Sequence, residues 1–169
     1  MNIIVAVENS WGIGNNGKLL DYFPEDLRYF REKTLGKVLI MGRKTYLSIP
    51  NAPLKDRINI ILSSRRDFKR DGVLVFNSVR DTINFTAQFN SKDIFIIGGQ
   101  SIYLQFISMC HKIYLTKINH DYDSDVFFLN LDSPSNSKKF DVKLINSIKS
   151  VNKGIQLDFF EYSQLETGA

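Results

Sequence analysis

Short apolar segments rich in valine and isoleucine alternate with helix-like segments along most of the chain. Such short, continuous apolar runs are typical of strands in a largely parallel sheet, which is buried on both faces. The alternation indicates an α/β fold in which helices form the crossovers between parallel strands. We predict strands at residues 3–7, 38–41, 58–62, 73–76, 94–97 and 113–116, and helices at residues 24–33, 45–49, 79–89 and 101–109.

The C-terminal part of the chain follows a different pattern. Residues 142–148 and 156–162 are separated by a turn signal at 152–154 and not by a helix, which predicts an antiparallel hairpin at one edge of the sheet. Residues 132–139 have the composition of a surface loop. Because there is no internal repeat or long linker, we predict one domain at residues 1–163 and a partly disordered tail at 164–169.

Composition fits a single globular domain and excludes several classes of protein. The chain has 169 residues, of which 43% are hydrophobic and 24% are charged. It contains no apolar run of about twenty residues, so we expect no membrane segment. Its one cysteine, Cys110, cannot form an internal disulfide, and a cytoplasmic protein is therefore expected.

The chain is mildly basic, with a formal net charge of +4. Its densest basic cluster comprises Arg65, Arg66, Lys69 and Arg70. A polyanionic small ligand and a solvated loop are both compatible with this cluster. No helix-turn-helix, zinc or RNA-binding signature accompanies it, so we do not expect a nucleic-acid partner.

Asp26 is the acidic residue with the strongest indication of a chemical role. In the predicted helix, Phe23, Leu27 and Phe30 form an apolar stripe, and Asp26 lies at its edge. Burial beside this stripe would raise the pKa of the carboxyl, which suits a group that handles a proton near neutral pH. The alternative is a carboxylate that complements the helix dipole, a role that Glu25 already fills.

Three predicted strands end in glycine, hydroxyl or basic residues where a helix or loop begins. Open α/β sheets bind ligands at this edge, helix starts favour phosphate, and glycine lets a ligand approach the backbone. Each segment is also compatible with an ordinary turn. The segments are residues 40–45, 61–66 and 96–103.

Other kinds of catalysis have little support in the sequence. His111 and His120 have no acids or cysteines at metal-ligand spacing, so no metal site is expected. Cys110 has no evident activating base, and no serine lies in a nucleophile elbow. The remaining features, a carboxylate, phosphate-binding strand ends and an apolar pocket, favour chemistry carried out by a cofactor.

Taken together and in order, these segments resemble dihydrofolate reductase. No single segment is specific, but their order along nearly the whole chain is. The matching residues are Val5-Ala6-Val7, Trp11-Gly12-Ile13-Gly14, Pro24-Glu25-Asp26-Leu27-Arg28-Tyr29-Phe30, Met41-Gly42-Arg43-Lys44-Thr45, Ser48-Ile49-Pro50, Pro53-Leu54 with Arg57, Asn59-Ile60-Ile61-Leu62-Ser63-Ser64, Ile97-Gly98-Gly99-Gln100-Ser101-Ile102-Tyr103 and Tyr114-Leu115-Thr116.

The resemblance implies a fold, a reaction and a set of partners. The fold is an eight-stranded, mostly parallel sheet with an antiparallel C-terminal edge and four flanking helices. The reaction is the reduction of 7,8-dihydrofolate to tetrahydrofolate by NADPH, with hydride transfer to C6 and a proton at N5, in one-carbon metabolism and thymidylate supply. A cytoplasmic monomer that binds antifolates such as trimethoprim or methotrexate is expected.

The resemblance also implies a role for individual residues. Asp26 would contact the pteridine and favour its protonated form, braced by Thr116, and Leu19 and Tyr103 complete the catalytic set. Arg57 would pair with the glutamate α-carboxylate of the substrate, a bidentate role that lysine serves poorly. The remaining substrate-binding residues are Ile4, Val5, Ala6, Leu27, Phe30, Ile49, Leu54 and Ile97.

The implied cofactor site is larger. Arg43, Lys44 and Thr45 would hold phosphates, Ser63, Ser64 and Arg65 would select the 2′-phosphate, and Gly98 and Gly99, joined by a cis peptide, would approach the cofactor closely. Whether Arg65 or Arg66 holds the 2′-phosphate stays open. The further cofactor residues are Ala6, Ile13, Gly14, Asn16, Gly17, Lys18, Leu19, Gly42, Leu62, Asn77, Ile97, Gln100, Ser101, Ile102 and Tyr103.

One position departs from the family pattern. The family usually has a tryptophan shortly before the helix proline, and this chain has Asp21 there. A second carboxylate at this position would raise the pKa of Asp26 further, or the loss of the large side chain would loosen the loop that carries Leu19. The sequence does not give the conformation of the loop at residues 14–23.

Two other functions are compatible with parts of the sequence. A reductase of the same fold, which acts on a ribosylated pyrimidine in riboflavin synthesis, would share the phosphate-binding segments. A non-catalytic folate- or nucleotide-binding module is made plausible by Asp21. The start of the helix at Pro24 and the position of Arg57 favour the dihydrofolate reductase interpretation.

Overall fold

A computed structural model describes residues 1–165 and shows the predicted α/β architecture. Eight strands form one sheet in the order β5-β4-β3-β6-β1-β7-β10-β9, and all pairings are parallel except those of β10 with β7 and β9. The eight-stranded sheet with an antiparallel C-terminal edge is therefore confirmed. Its strands are β1 (Asn2–Val7), β3 (Val38–Gly42), β4 (Ile58–Leu62), β5 (Leu74–Phe76), β6 (Ile94–Gly98), β7 (Lys112–Ile118), β9 (Phe140–Lys149) and β10 (Gln156–Gln164).

Four α-helices flank the sheet, and the local sequence explains where they begin. Pro24 occupies the first turn of α1, where its missing N–H is not needed. The Ser78 hydroxyl accepts a hydrogen bond from the Asp81 N–H and caps α3. The helices are α1 (Pro24–Thr34), α2 (Arg43–Ser48), α3 (Val79–Thr86) and α4 (Gln100–Phe106).

The helix ends differ from the predicted ones by a few residues. Helix α2 begins at Arg43, directly after β3, and not at residue 45. Helix α3 ends at Thr86, and α4 gives way after Phe106 to a short 3-10 helix, Ile107–Met109. Helix ends are weakly determined by periodicity alone, because the last turn is often 3-10.

A second, two-stranded sheet was not predicted. It pairs β2 (Gly12–Gly14) with β8 (Val126–Phe127). The two strands are short and more than a hundred residues apart, so neither has a pattern of its own in the sequence. This small sheet joins the segment after β1 to the segment after β7.

The core lies on both faces of the large sheet. One cluster contains Ile3, Ile96 and Phe106 and packs against residues of α3 and α4. A second cluster contains Leu39 and Met41 and packs against residues of α1 and α2. Two helices therefore cover each face, as a doubly covered parallel sheet requires.

The predicted tail begins within the last strand. Gln164 ends β10, and the Leu165 N–H donates to the Lys139 carbonyl. Residues 166–169 of the predicted tail lie outside the described residues. In residues 1–165 no helix has both the length and the apolar character needed to cross a membrane.

The burial of each residue in α4 predicts how much stability is lost when its side chain is truncated. Phe106 is fully buried, whereas Leu104 of the same helix is 56% exposed. Because truncation of a buried phenylalanine leaves a cavity, we expect Phe106→Ala to lower the free energy of unfolding by about 3–5 kcal/mol. Leu104→Ala is the matched control, and we expect it to cost less than about 1 kcal/mol. Urea unfolding measures both, and equal losses would contradict the assignment of Phe106 to the core.

Candidate active site

Most of the predicted site residues lie near one edge of the sheet, whereas Arg57, which precedes β4, lies at the other end of that strand. Strands β1, β3, β4, β6 and β7 are parallel, so their carboxyl ends lie on the same side. The turn between β9 and β10 lies at this edge as well, because β10 runs antiparallel to β7. Segments that are far apart in the sequence are thereby brought to the edge where open α/β sheets bind ligands, and we call this region the cleft.

Asp26 lies at the bottom of this cleft, in the first turn of α1. It is deeply surrounded by protein atoms, and a part of the residue still faces the opening. The hydroxyl of Thr116, a buried residue of β7, donates a hydrogen bond to its carboxylate. Thr116 is held between Ala6 of β1 and Phe159 of β10, so this brace is part of the sheet.

The environment of Asp26 favours its neutral form. Burial raises the pKa of the carboxyl, and the hydrogen bond from Thr116 opposes this only in part. No basic side chain contributes to the shift. A ligand group that donates hydrogen bonds or carries a proton would supply the missing partner.

Apolar residues from several elements surround the approach to Asp26. Five predicted pocket residues belong to the cluster that packs against α1 and α2, and these are Ile4, Phe30, Ile49, Leu54 and Ile97. The side chain of Val5 points into the cluster on the other face, so only its backbone is available to this cleft. Leu27 and Leu19 are exposed, with Leu19 at 73%.

Arg57 follows a tightly held loop at the far end of this apolar wall. The Asn59 side chain accepts from the Leu54 N–H at 3.0 Å and donates to the Leu54 carbonyl at 2.8 Å, which fixes the loop. The Arg57 guanidinium lies 5.9 Å from the Phe30 ring centroid, and its buried Nε has no hydrogen-bond partner. Burial and the nearby Arg31 lower the pKa of Arg57, so an anionic ligand group would be bound favourably here.

Glycines allow close packing where β3 and β6 lead into helices. A Cβ on Gly42 would lie 3.1 Å from Ile102, and a Cβ on Gly99 would lie 3.3 Å from the Thr45 hydroxyl. Both glycines precede a helix whose first N–H groups have no side-chain cap. The Gly98–Gly99 peptide is cis, as the resemblance implies, and Gly98 has a φ of 110° that favours glycine.

Tyr103 supports this region from α4. Its hydroxyl donates to the Ile4 carbonyl at 2.9 Å, and a Cβ on Gly98 would contact its ring at 3.0 Å. Burial raises the pKa of Tyr103, with a smaller contribution from the charge of Asp26. The hydroxyl is therefore a fixed donor between β1 and β6.

At the end of β4 the two serines have different environments. Ser63 is buried, and its hydroxyl accepts from the Arg65 N–H at 3.1 Å. The Asn77 side chain donates to the Ser63 carbonyl at 2.8 Å, so this turn is held from β5. Ser64, Arg65 and Arg66 are exposed and are free to contact an anion.

The loop between β2 and α1 contains a turn that the sequence signals. Asn15 and Lys18 form a two-residue hairpin around Asn16 and Gly17, both of which have positive φ. An Asn-Gly pair is a strong signal for this type of turn. The Asp125 carboxylate accepts from the Asn16 N–H at 2.9 Å, and this support from the β7–β8 connection was not predicted.

Glu8 is a second residue that sequence reasoning missed. It is fully buried at the end of β1, and its carboxylate accepts from the N–H groups of Ser10 and Gly12 at 2.9 Å each. These hydrogen bonds and those of the Ser10 and Ser124 hydroxyls hold the pKa of Glu8 below its usual value, against the effect of burial. A single Glu after a strand gives no sequence signal for such a role.

Asp21 is directed away from Asp26. Its carboxylate accepts from the Tyr122 hydroxyl and from Lys153 Nζ, each at 2.5 Å. These partners lower the pKa of Asp21, although burial acts in the opposite direction. Asp21 makes no contribution to the raised pKa of Asp26, which is explained by burial.

No metal centre is formed by the side chains of residues 1–165. No group of three or more histidine, cysteine, aspartate or glutamate residues is placed there to hold an ion. The site thus consists of one buried carboxyl, an apolar wall, an unpaired arginine nitrogen and glycine-rich strand ends with basic residues nearby.

Known proteins share this sequence and this arrangement. A family model described as Dihydrofolate reductase matches residues 1–164. A dihydrofolate reductase of Buchnera aphidicola subsp. Acyrthosiphon pisum is 39% identical over 76% of this chain and 78% of its own length. One from Sus scrofa is 34% identical over 97% of each chain. A solved structure described as dihydrofolate reductase from Enterococcus faecalis complexed with NADP(H) and RAB-propyl has a TM-score of 0.82 at 27% identity, covering 98% of this chain and 96% of its own.

The pKa values of Asp26 and Asp21 are shifted in opposite directions, which predicts opposite effects of their substitution on stability. Because the pKa of Asp26 is raised on folding, its favourable contribution is complete below about pH 3.9 and is lost as the pH rises through the raised pKa. We therefore expect Asp26→Asn to be more stable than the parent at pH 8, with an advantage that shrinks towards pH 4. Thermal unfolding at several pH values measures this.

Asp21→Asn is the matched control. The pKa of Asp21 is lowered on folding, so its contribution is present above the ordinary pKa and is lost as the pH falls through the lowered one. We expect this variant to be less stable than the parent at pH 8. A loss of stability in Asp26→Asn at pH 8 would contradict the cost assigned to its burial.

Proposed function

The chain belongs to the dihydrofolate reductase family, and from that premise we propose that the cleft above Asp26 is where it reduces dihydrofolate to tetrahydrofolate with NADPH. The family and its relatives make the chain an NADPH-dependent oxidoreductase. The observation that carries the assignment of the site is Asp26, a carboxyl whose pKa is raised by burial at the bottom of an apolar cleft.

The strand ends fit NADPH. A Cβ on Gly42 would lie 3.1 Å from Ile102 and one on Gly99 would lie 3.3 Å from the Thr45 hydroxyl, so both strand ends pack closely against the following helices and have no side chain of their own between the backbone and a ligand. Arg43, Lys44 and the uncapped N–H groups of α2 and α4 are suited to its phosphates. When bound, NADPH supplies the hydride.

The exposed residues after β4 are suited to recognise the 2′-phosphate of NADPH. The Ser63 hydroxyl is engaged within the turn, so it shapes the loop and does not need to touch the ligand. Ser64, Arg65 and Arg66 offer one hydroxyl and two guanidiniums to a phosphate monoester. This supports a preference for NADPH over NADH.

Asp26 binds and orients the pteridine. Its carboxyl is positioned by Thr116 and faces the cleft, so it can pair with an amino group and a ring nitrogen of the pteridine. A raised pKa keeps it able to hold a proton near neutral pH, which favours the protonated substrate at N5. The proton reaches N5 by way of water, and the apolar wall excludes bulk solvent from the reacting face.

Arg57 binds the other end of the substrate. Its Nη1 donates to the Lys55 carbonyl at 3.3 Å, while its buried Nε has no partner, so the Nε and Nη2 side of the guanidinium can offer two parallel donors to a carboxylate. The glutamate tail of dihydrofolate carries such a carboxylate. Phe30, between Arg57 and Asp26 along the cleft wall, is suited to the aromatic middle of the substrate.

The wider context is also part of the proposal. We place the enzyme in the cytoplasm as a monomer that binds antifolates such as trimethoprim or methotrexate, with no nucleic-acid or membrane partner. The unpaired and buried Cys110 supports a reducing compartment. Membership of the family supports the binding of antifolates.

Substitution of Asp26 tests the site directly. NADPH absorbance should fall when dihydrofolate is added to the parent enzyme. We expect Asp26→Asn to reduce turnover at neutral pH by roughly 10²–10⁴-fold, because the carboxyl no longer holds a proton, while NADPH binding is retained. Asp141→Asn, at an exposed position on β9, is the control and should keep full activity.

The same assay separates the alternatives. Full activity of Asp26→Asn at neutral pH would contradict its role. Oxidation of NADPH by a ribosylated pyrimidine and not by dihydrofolate would indicate the riboflavin-type reductase. Binding of both ligands without any oxidation would indicate a non-catalytic module.

Substitution of Arg57 tests the orientation of the substrate. Lysine keeps the charge but loses the paired donors, so we expect Arg57→Lys to raise the KM for dihydrofolate by about 10-fold or more, with little change in kcat. A dihydropterin that lacks the glutamate tail is the internal control. Its KM should be the same for both enzymes, and an equal increase for both substrates would show that Arg57 does not contact the tail.

A further inference from the structure

Asp21 connects the start of α1 to two other loops. Its Oδ2 accepts from the Tyr122 hydroxyl at 2.5 Å, and its Oδ1 accepts from Lys153 Nζ at 2.5 Å and from the Tyr22 N–H at 2.7 Å. The side chain of Asp21 is only 13% exposed. Both oxygens of this carboxylate are thus engaged by strong donors.

The connection to the β9–β10 turn is reinforced by two residues that follow Asp21. The Asn152 side chain donates to the Tyr22 carbonyl at 2.8 Å, and the Val151 N–H donates to the Glu25 carboxylate at 2.6 Å. Three successive residues of this turn therefore contact three residues at the start of α1. We call Asp21, Tyr122 and Lys153 the loop latch.

The two partners of Asp21 are themselves held firmly. The Tyr122 ring packs against the cluster that contains Phe23 and Phe159 and lies 4.8 Å from the His120 ring. The turn that carries Lys153 is closed by Ser150, which is buried and accepts from the N–H groups of Gly154 and Ile155. Asp21 thus links a loop to two well-supported anchor points.

The latch holds a segment that has little other support. Within residues 1–165, hydrogen bonds from positions 19–22 to distant segments are made by Asp21 and Tyr22. Leu19 and Tyr22 are 73% and 61% exposed, so burial contributes little here. The segment leads directly into Phe23 and Pro24, and Asp26 follows in the first turn of α1.

We propose that Asp21 is a positioning residue of the reductase, which acts through Tyr122 and Lys153 to hold residues 19–22 in the arrangement that retains dihydrofolate. This inference rests on the proposed function. At the position where the family resemblance leads to the expectation of a tryptophan, this chain has an aspartate that makes an ion pair and a hydrogen bond. Because Lys153 is 42% exposed, dissolved salt reaches the pair and weakens it.

If the latch holds the loop, single substitutions at Lys153 or Tyr122 should weaken the binding of dihydrofolate. Lys153→Met removes the charge at similar length, and Tyr122→Phe removes only the hydroxyl. We expect each variant to raise the KM for dihydrofolate roughly fivefold and to change kcat less than twofold. The increase in the KM of the parent with added salt should be smaller in Lys153→Met, and the part that remains is expected from the pairing of Arg57 with the substrate carboxylate.

Lys149→Met is the matched control, since Lys149 is an exposed lysine at the end of β9 outside the latch. It should keep the KM of the parent and its dependence on salt. The three variants should have melting temperatures within a few degrees of the parent, because each removes at most one contact of a surface loop and leaves the core intact. An unchanged KM in Lys153→Met and Tyr122→Phe, or an equal change in Lys149→Met, would overturn the proposal.

A charge swap separates positioning from a general structural effect. We expect Asp21→Lys alone to raise the KM, and the addition of Lys153→Asp to bring it back towards the parent value. Absence of recovery would overturn the role of the ion pair. Hydrogen exchange at residues 19–22 of the NADPH-bound enzyme should be faster in Lys153→Met, and this readout holds even if dihydrofolate is not the substrate, in which case the proposed function fails separately.

Discussion

The withdrawal of the Asp26 carboxyl from water is the constraint on which the other features of the site depend. An ionised carboxylate without a basic partner is costly inside a protein, and the Thr116 hydroxyl offsets only a part of that cost. The apolar contacts on the two buried faces of the sheet must therefore provide enough free energy of folding to offset the destabilisation caused by this buried carboxyl. In return, the carboxyl is held in one orientation and close to the protonation state that its chemistry needs.

The acidic and the basic side chains of the site occupy different parts of the cleft. The acid lies at the bottom among apolar residues, and the cations lie at the ends, with Arg57 at one and the residues after β3 and β4 at the other. A substrate with a basic ring and an acidic tail fits one half of this pattern, and a phosphorylated dinucleotide fits the other. The separation also keeps arginines away from Asp26, where a cation would lower its pKa.

Much of the fold and part of the site were predictable because their signals are local. The apolar strand runs, the start of α1 at Pro24 and the glycines after β3 and β6 each depend on a few adjacent residues, and all are where the sequence indicated. The β2–β8 sheet, the support of Asn16 by Asp125 and the partners of Asp21 were not predictable. They join residues more than a hundred positions apart, and neither segment contains a local sequence signal that identifies its partner.

Asp21 and Asp26 show why residue type alone does not determine a role. They are five positions apart and flank the same helix start, yet folding lowers the pKa of one and raises that of the other. Asp21 meets a lysine and a tyrosine hydroxyl, which stabilise its charge, whereas Asp26 meets apolar walls and a single hydroxyl. Asp21 therefore does not compete with Asp26 for a proton. The negative charge of Asp21 is already stabilised by Tyr122 and Lys153, which come from two other loops.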